Sequence, residues 1–296
     1  STLEHSSVTR TVRGMRRDLD WDCRYVDAPD GCFDMEQLAE QLQDGPTSLI
    51  SVMRVQNETG WIFPIPEIAQ LRDELAPGVP LHCDATQAFC KMPVNPREWG
   101  VQLLTAGAHK IGGPRGIGIL YVQRGLPMHT TAFGGNQERG LRSGTEPVFL
   151  AVGMAEAVRI TAAHMETDME YAASLRERAI EGLKREIPDA VVHAPEGGSP
   201  YILSVSVPGL PNAVSVKYLS GRRVCVSRAS ACEENHTTAA PGTWRPKHPL
   251  ALQAAGIPLR EGKETLRASF FHRNTPEDVD RFVAVLAQCA REMRES

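Results

Sequence analysis

Lys110 lies in the segment Ala108-His109-Lys110, directly before the glycine-rich run IGGPRGIG at 111–118. A lysine amine that is desolvated can form a Schiff base with an aldehyde cofactor. Glycines beside it let the backbone approach a flat ring closely. The run lacks the G-x-G-x-x-G order, so it does not predict a dinucleotide site. Lys110 is therefore a candidate Schiff-base lysine, and a solvated surface charge is the alternative reading.

The segment HCDATQ at 82–87 places an acid, Asp84, and an amide, Gln87, three residues apart. A buried carboxylate beside a pyridine nitrogen keeps that nitrogen protonated, as an electron-sink cofactor requires. We predict this role for Asp84, with Gln87 donating to the cofactor's phenolate oxygen. The alternative for Asp84 is a cap of the next helix.

Cys232 ends the segment SRASAC, and the residues that follow it, 233–249, are rich in small, polar and proline residues. A lone cysteine is most often a buried hydrophobe. On a long exposed loop, however, a thiol could attack a substrate and present the product elsewhere, so we predict a nucleophile. The other six of the seven cysteines are interpreted as structural. Their scatter, without any C-x-x-C pair, indicates a reducing compartment and no metal site.

The elements that must position these residues alternate between strand and helix patterns. Strands are predicted at 49–55, 79–83 and 101–105, and helices after Asp34 and around Ile68 to Leu75. This rhythm predicts a mostly parallel sheet covered by helices. Ligands of such sheets bind beyond the carboxyl ends of the strands. Asn57, Asp84 and Lys110 each follow a predicted strand.

A long helix around 165–183 is predicted to lead into a smaller α+β domain with strands at 201–207, 223–227 and 265–271. Its last helix begins with Thr275 as cap and Pro276 at the first position. We place the boundary between residues 163 and 164, which gives a large domain at 1–163 and a small domain at 164–296 that carries the Cys232 loop.

Composition narrows the classes of function. The chain has 296 residues, of which 42% are hydrophobic and 23% charged, as in ordinary globular proteins. The net charge of −4 gives no basic excess, so nucleic acid is not an expected partner. The sequence lacks a run of 18 apolar residues, so we expect no membrane span. The start, STLEH, has no methionine or apolar leader pattern, and we expect a removed leader or a longer parent chain.

Seven segments, in order, resemble the class V aminotransferases, specifically the cysteine desulfurases and selenocysteine lyases. They are TLEHSSV, QNETG, HCDATQA, AGAHKIGGPRGIGILYV, FGGNQERGLRSGTE, ASAC and TLRASF. The resemblance implies a pyridoxal-phosphate-dependent transferase of fold type I, α/β in class. Its large domain would hold a mostly parallel sheet, here incomplete at the N-terminus, beside a smaller α+β domain.

For the cofactor, the resemblance implies that Lys110 forms the Schiff base with pyridoxal 5'-phosphate and later moves the substrate proton. His5 would stack on the pyridine ring and assist proton transfer. Asp84 would pair with the ring nitrogen and Gln87 with the phenolate oxygen. His109 would belong to the same cofactor-binding set.

For the substrate, the resemblance implies that Arg267 holds the carboxylate, assisted by Asn57, which also belongs to the cofactor-binding set. Thr145 would reach the cofactor phosphate of a second subunit, so a homodimer is expected. Cys232 would take the sulfur of L-cysteine as a persulfide and release L-alanine. The sulfur would then pass to an acceptor protein, such as an iron–sulfur scaffold, a tRNA-modifying enzyme or another carrier.

Three departures from the family pattern stand out. About a hundred residues, including a threonine-bearing phosphate turn, normally precede the TLEH segment. Gly107 stands where relatives carry a phosphate-binding serine or threonine. Asn136 replaces the third glycine of a Gly-Gly-Gly run, and the loop after Cys232 is longer than usual. Weaker phosphate binding is expected from the first two.

Two alternatives to a cysteine desulfurase remain open from the sequence. Selenocysteine lyase uses the same residues on L-selenocysteine. A cofactor-poor pseudoenzyme that acts as a scaffold subunit is suggested by Gly107 and the short N-terminal region. The expected location is the cytoplasm or another reducing compartment, such as the mitochondrial matrix.

Overall fold

A computed structural model describes residues 1–193, 197–228 and 250–295. The chain forms two compact units. The first unit comprises Ser1–Asp44, Val55–Pro64 and Glu166–Ser296, and the second comprises Gly45–Arg54 and Ile65–Met165. One boundary thus falls two residues from the predicted one, but residues 1–44 and 55–64 group with the C-terminal part. The predicted division into domains at 1–163 and 164–296 stays a prediction.

The helices of the described residues are α1 (Ser6–Leu19), α2 (Met35–Gln43), α3 (Ile65–Leu75), α4 (Val148–Ala163), α5 (Met165–Glu186), α6 (Asn212–Ser220), α7 (Leu250–Ala254), α8 (Leu259–Gly262) and α9 (Pro276–Arg294). The strands are β1 (Ile50–Met53), β2 (Leu81–Asp84), β3 (Leu103–Gly107), β4 (Gly118–Val122), β5 (Val191–Val192), β6 (Ile202–Ser206) and β7 (Thr265–Ser269). No single helix among these residues is long and apolar enough to cross a membrane, and only α4 and α5 taken together, as a bent pair, meet those criteria.

The second unit is built on a four-stranded sheet in the order β1-β2-β3-β4. The first three strands are parallel, and β4 runs antiparallel to β3. The predicted mostly parallel sheet is therefore confirmed. Asp84 lies opposite Met53 on one side and Thr105 on the other. The carboxyl ends of β1, β2 and β3 consequently share one edge of the sheet.

Strand bounds differ from the predicted ones by small shifts. Asp84 is the last residue of β2 rather than the residue after it, and β3 begins and ends two residues later than predicted. β1 is shorter than 49–55. Val55 instead forms an isolated bridge to Ile62, which closes the turn that follows β1.

The first unit contains a three-stranded antiparallel sheet in the order β5-β6-β7. β6 is buried along its whole length. Helices α5 and α9 pack closely, since a Cβ on Gly182 would lie 3.1 Å from Val283 Cγ2. The predicted capping of α9 is confirmed, because Thr275 and Asp278 form a reciprocal capping box. Asp34 also caps α2, by accepting from the Gln37 amide.

The strand predicted at 223–227 is wrong. The chain turns after α6, and Arg223 adopts a φ of 61°, which interrupts extended backbone. Only Ser227 pairs with a strand, through an isolated bridge to Arg267. Helix α1 was not predicted, and its N-cap is His5, whose side chain accepts from the Ser7 amide.

Candidate functional site

Asp84 is a nearly buried acid at the carboxyl end of β2, with an exposed fraction of 9%. Its Oδ1 accepts a hydrogen bond of 2.9 Å from the Thr86 amide, which fixes the carboxylate over the turn after the strand. No described residue donates a hydrogen bond to Oδ2. The second oxygen is therefore available to accept a hydrogen bond from a ligand. The N–H group of a protonated pyridine is one such donor.

Lys110 lies at the same edge of the sheet, just beyond the carboxyl end of the adjacent strand β3. It ends a short 3₁₀ turn, Ala108–Lys110, that begins directly after β3. The amide of Gly113 closes this turn on the Ala108 carbonyl at 2.9 Å. A Cβ at Gly113 would lie 2.9 Å from the Ala108 Cβ, so glycine is needed for this close approach. The glycine run thus shapes the turn that carries Lys110, which is half-buried.

Gly107 and His109 occupy the residues just before Lys110. A Cβ at Gly107 would lie 3.0 Å from both Cε1 and Nδ1 of the His109 ring. The imidazole therefore sits over the place where a serine side chain would begin. Because His109 is exposed, its ring has room to move aside.

Gln87 and Thr145 complete the predicted residues of the second unit. Gln87 is half-buried, and its Oε1 accepts a hydrogen bond of 3.3 Å from Lys91 Nζ. Its amide nitrogen remains the group able to donate to an acceptor. Thr145 is exposed in the segment before α4. That exposure is compatible with contact to another subunit.

A histidine that the sequence reasoning did not single out lies on Asp84's face of the sheet. His82 and Asp84 are two residues apart on β2, so their side chains point to the same face. His82 Nδ1 lies 2.8 Å from Ser51 Oγ, and its Nε2 lies 3.0 Å from Thr105 Oγ1. The alternation of His82 and Asp84 along the strand was the available signal for this network.

The turn after β1 in the first unit holds Asn57. Gln56 is fully buried, and its Oε1 accepts from the amides of Glu58 and Thr59 at 2.5 and 2.8 Å. Ser204 Oγ donates to the Glu58 carbonyl at 2.8 Å. Arg267 Nη1 donates to the Asn57 carbonyl at 2.8 Å. The structure therefore brings the two predicted substrate-binding residues together.

Arg267 is anchored by the strand that carries it. It pairs with Ser204 in the register of β6 and β7. On the other side its backbone exchanges two hydrogen bonds with Ser227, of 2.7 and 3.0 Å. The backbone of Arg267 is thus held between β6 and the segment that carries Ser227. This limits the positions that its side chain can reach.

His5 and Asn57 line one cavity of about 310 Å³ in the first unit. His5 Nδ1 is engaged by the Ser7 amide at 3.2 Å and the Ser7 hydroxyl at 2.8 Å. The sequence reasoning missed Glu58, Tyr25 and Arg13, which line the same cavity. These three residues come from separate segments of the chain, so only the folded structure shows that they line one cavity.

Cys232, the predicted nucleophile, lies outside the described residues. Of the other cysteines, Cys83 and Cys289 are buried, whereas Cys32 and Cys225 are exposed. Burial raises the pKa of the Cys289 thiol, and likewise that of Cys90, so both favour the protonated form. The described residues contain no cluster of three or more His, Cys, Asp or Glu side chains able to hold a metal ion.

The predicted residues fall into two groups, one in each unit. The second unit carries Lys110, Asp84, Gln87, His109 and Thr145, and the first carries His5, Asn57 and Arg267. A comparison with protein families assigns residues 1–282 to a single family model, described as aminotransferase class-V. The chain belongs to the class-V aminotransferases.

Individual members of this family give a finer comparison. The chain is 33% identical over 266 residues to a cysteine desulfurase of Nostoc sp., covering 89% of this chain and 63% of that protein. It is 30% identical to the cysteine desulfurase IscS of Clostridium botulinum, over 99% of this chain and 72% of the relative. The chain thus spans about 63% of the length of the first of these curated relatives.

Solved structures confirm the predicted fold class. A NifS-like protein superimposes with a TM-score of 0.86 at 29% identity, over 97% of this chain and 73% of that one. A structure of SspA in complex with cysteine superimposes with a TM-score of 0.71 at 26% identity, over 93% of this chain and 73% of that one. The predicted family is likewise confirmed.

Proposed function

We propose that this chain is a pyridoxal-phosphate-dependent cysteine desulfurase, or the larger part of one. The observation that carries the proposal is the placement of Asp84 and Lys110 at the carboxyl ends of the adjacent parallel strands β2 and β3. Ligands of parallel sheets bind at this edge. The class-V family and the cysteine desulfurase names of the relatives support the same conclusion.

The residues at this edge fit pyridoxal phosphate. Asp84 offers a nearly buried carboxylate with Oδ2 available, which suits a protonated ring nitrogen. Lys110 offers an amine on a turn shaped by glycines, and Gln87 offers an amide donor. His5 and His109 would contact the bound group. Pyridoxal phosphate, when bound, supplies an electron-withdrawing ring that makes the bonds at the substrate's α-carbon easier to break.

Arg267 and Asn57 would bind the substrate. The guanidinium presents a planar fork that matches an amino-acid carboxylate. Its Nη1 is already tied to the Asn57 carbonyl, which orients the plane of the fork. Lys110 Nζ would take the proton from the α-carbon of L-cysteine and return it during formation of L-alanine. Arg267 would thus set the position of the substrate carboxylate, and Lys110 would act on the α-proton.

Cys232 would receive the sulfur. Its thiolate would attack the sulfur of the bound substrate, so that the carbon–sulfur bond breaks as a sulfur–sulfur bond forms. The products are a persulfide on Cys232 and L-alanine. A sulfur-acceptor protein would take the persulfide sulfur, and Thr145 would reach the phosphate of a second subunit in a homodimer. A reducing compartment such as the cytoplasm suits a free persulfide.

The experiment combines purified chain, pyridoxal phosphate and L-cysteine, and measures alanine together with protein-bound persulfide. We expect a yellow protein that forms alanine. Lys110→Ala should abolish the colour and alanine formation, whereas Lys184→Ala, at an exposed residue of α5, should leave both unchanged. A colourless chain in excess cofactor would contradict the proposal and favour a scaffold subunit.

The cysteine variants separate the two possible substrates. Cys232→Ala should abolish persulfide and alanine formation from L-cysteine, while Cys225→Ala, at an exposed cysteine, should be neutral. If Cys232→Ala abolished turnover of L-cysteine but spared L-selenocysteine, both assignments would stay open, and the kcat/KM values of the unchanged chain for the two substrates would decide between them. Equal loss on both substrates supports the desulfurase.

A further inference from the structure

A second concavity of about 910 Å³ lies in the second unit, away from the proposed active site. Its wall includes Gln102, just before β3, and Val122, the last residue of β4. Because β3 and β4 are antiparallel, both positions lie at the amino end of β3. Asp84 and Lys110 lie at the carboxyl end. The two sites are therefore separated by roughly 15 Å, the length of β3.

Three arginines, Arg97, Arg124 and Arg139, line this pocket, and all three are exposed. Within the described part of the chain, none of their guanidinium groups forms an ion pair or a hydrogen bond. This holds even though Glu98 and Glu138 are sequence neighbours of two of them. The pocket therefore gathers three positive charges whose counter-charge the described protein does not supply.

A fourth arginine, Arg72, stabilises the wall of the pocket, and its charge is paired within the protein. It is 2% exposed, and its Nε pairs with Asp73 at 2.7 Å. Nη1 donates to the Val79 carbonyl and to Gln102 Oε1, each at 2.7 Å, and Nη2 donates to the Gly100 carbonyl at 2.8 Å. These bonds hold the backbone of the pocket wall in place, and Asp73 balances the charge of Arg72.

We propose that this pocket binds a phosphorylated small molecule of nucleotide size. Bringing like charges together in a concave site is unfavourable unless an anion neutralises them. Guanidinium forks match phosphate oxygens in geometry, and three of them suit a polyphosphate. The volume lies in the range of small-molecule pockets. Tyr121 and Leu126 add an apolar wall for a ring, which a flat protein-docking surface would not need.

The test is isothermal titration calorimetry of the full chain with ATP, sodium pyrophosphate and adenosine. We expect ATP and pyrophosphate to bind with an affinity that falls as ionic strength rises, and adenosine not to bind. Arg124→Gln and Arg97→Gln should each weaken ATP binding about tenfold, because each removes one charge-assisted contact. Arg159→Gln, at an exposed arginine of α4 outside the pocket, should have no effect.

Further arms distinguish this site from other anion sites. Lys110→Ala should bind ATP as tightly as the unchanged chain does, because the proposed cofactor site lies at the carboxyl end of β3 and this pocket lies at its amino end. Thermal unfolding without ligand should be the same for Arg97→Gln and Arg124→Gln as for the unchanged chain, because neither guanidinium has an ion pair or hydrogen bond to lose within the described part of the chain. Absence of ATP and pyrophosphate binding, equal binding by Arg124→Gln, or tighter binding of a polyglutamate peptide than of ATP would each overturn the proposal. The last result would identify an acidic protein as the occupant.

Discussion

Arg267 Nη1 donates to the backbone carbonyl of Asn57 at 2.8 Å, although the two residues are 210 positions apart in the sequence. The bond joins β7 to the turn after β1. Asn57 also lines the cavity that contains His5. The bond thereby fixes the guanidinium relative to this turn of the first unit before any substrate is bound.

Replacement of Arg267 should reveal its role in substrate binding. Arg267→Gln removes the charged fork, so we expect a rise of KM for L-cysteine and a fall in kcat/KM of about a hundredfold. Arg267→Lys should recover only part of this, because an ammonium cannot bind a carboxylate through two parallel bonds. Steady-state kinetics measures both constants. Arg273→Gln, at an exposed residue, serves as the control. A loss confined to kcat would argue against carboxylate binding.

Asp84→Asn tests the electron-sink assignment. Asparagine keeps an oxygen that can accept from the Thr86 amide, so the turn should survive. It lacks the negative charge that stabilises a protonated pyridine nitrogen, and kcat should fall at least tenfold. The absorbance spectrum of bound cofactor should also change its pH dependence. Asp44→Asn, at an exposed residue, is the matched change. An unaltered spectrum together with full activity would remove Asp84 from the site.

Gly107→Ser should strengthen cofactor binding. A serine hydroxyl there adds one hydrogen bond to phosphate, worth about 1 kcal/mol, so the Kd for pyridoxal phosphate should fall about fivefold. The exposed His109 ring must first move by a few tenths of an ångström. Fluorescence titration measures the Kd. His109→Ala combined with Gly107→Ser removes the obstruction, and its affinity should exceed that of His109→Ala alone by the full gain. Equal affinity of the double variant and His109→Ala would show that phosphate is bound elsewhere.

Stability should decline on acidification because of His193. Its Nε2 lies 2.7 Å from Ser206 Oγ and 3.1 Å from Glu261 Oε1. Burial lowers the pKa of His193 in the folded chain, and Glu261 offsets this only in part. The unfolded chain therefore binds the proton more readily. The contribution of neutral His193 is complete above its ordinary pKa of about 6.5 and is lost as the pH falls through its lower folded pKa.

Urea unfolding between neutral and mildly acidic pH measures this effect. The free energy of unfolding of the unchanged chain should fall with pH in this range, and His193→Gln should flatten the dependence. His129→Gln, at an exposed histidine, should retain it. If the free energy of unfolding of His193→Gln fell with decreasing pH as steeply as that of the unchanged chain, groups other than His193 would be responsible for the loss of stability in acid.

Much of the candidate site could be predicted from local sequence, because the candidate groups are encoded in short segments. The Lys110 turn depends on its own glycines, and the α9 cap depends on Thr275 and Asp278 alone. Helix α1 escaped prediction for a physical reason. Its N-cap is a histidine, which is not one of the usual capping residues, and none of its residues is buried, although Val8, Val12 and Met15 do follow helical spacing.

By itself, then, the sequence determined the α/β class, the family and the identity of Lys110, Asp84 and Cys232 as candidates, since these follow from local pattern and residue chemistry. Only the tertiary structure decided that Arg267 binds the Asn57 turn, that His82 bridges Ser51 and Thr105, and that three arginines share one pocket. Strand register and side-chain contacts between residues distant in sequence arise from packing, and no short segment encodes them.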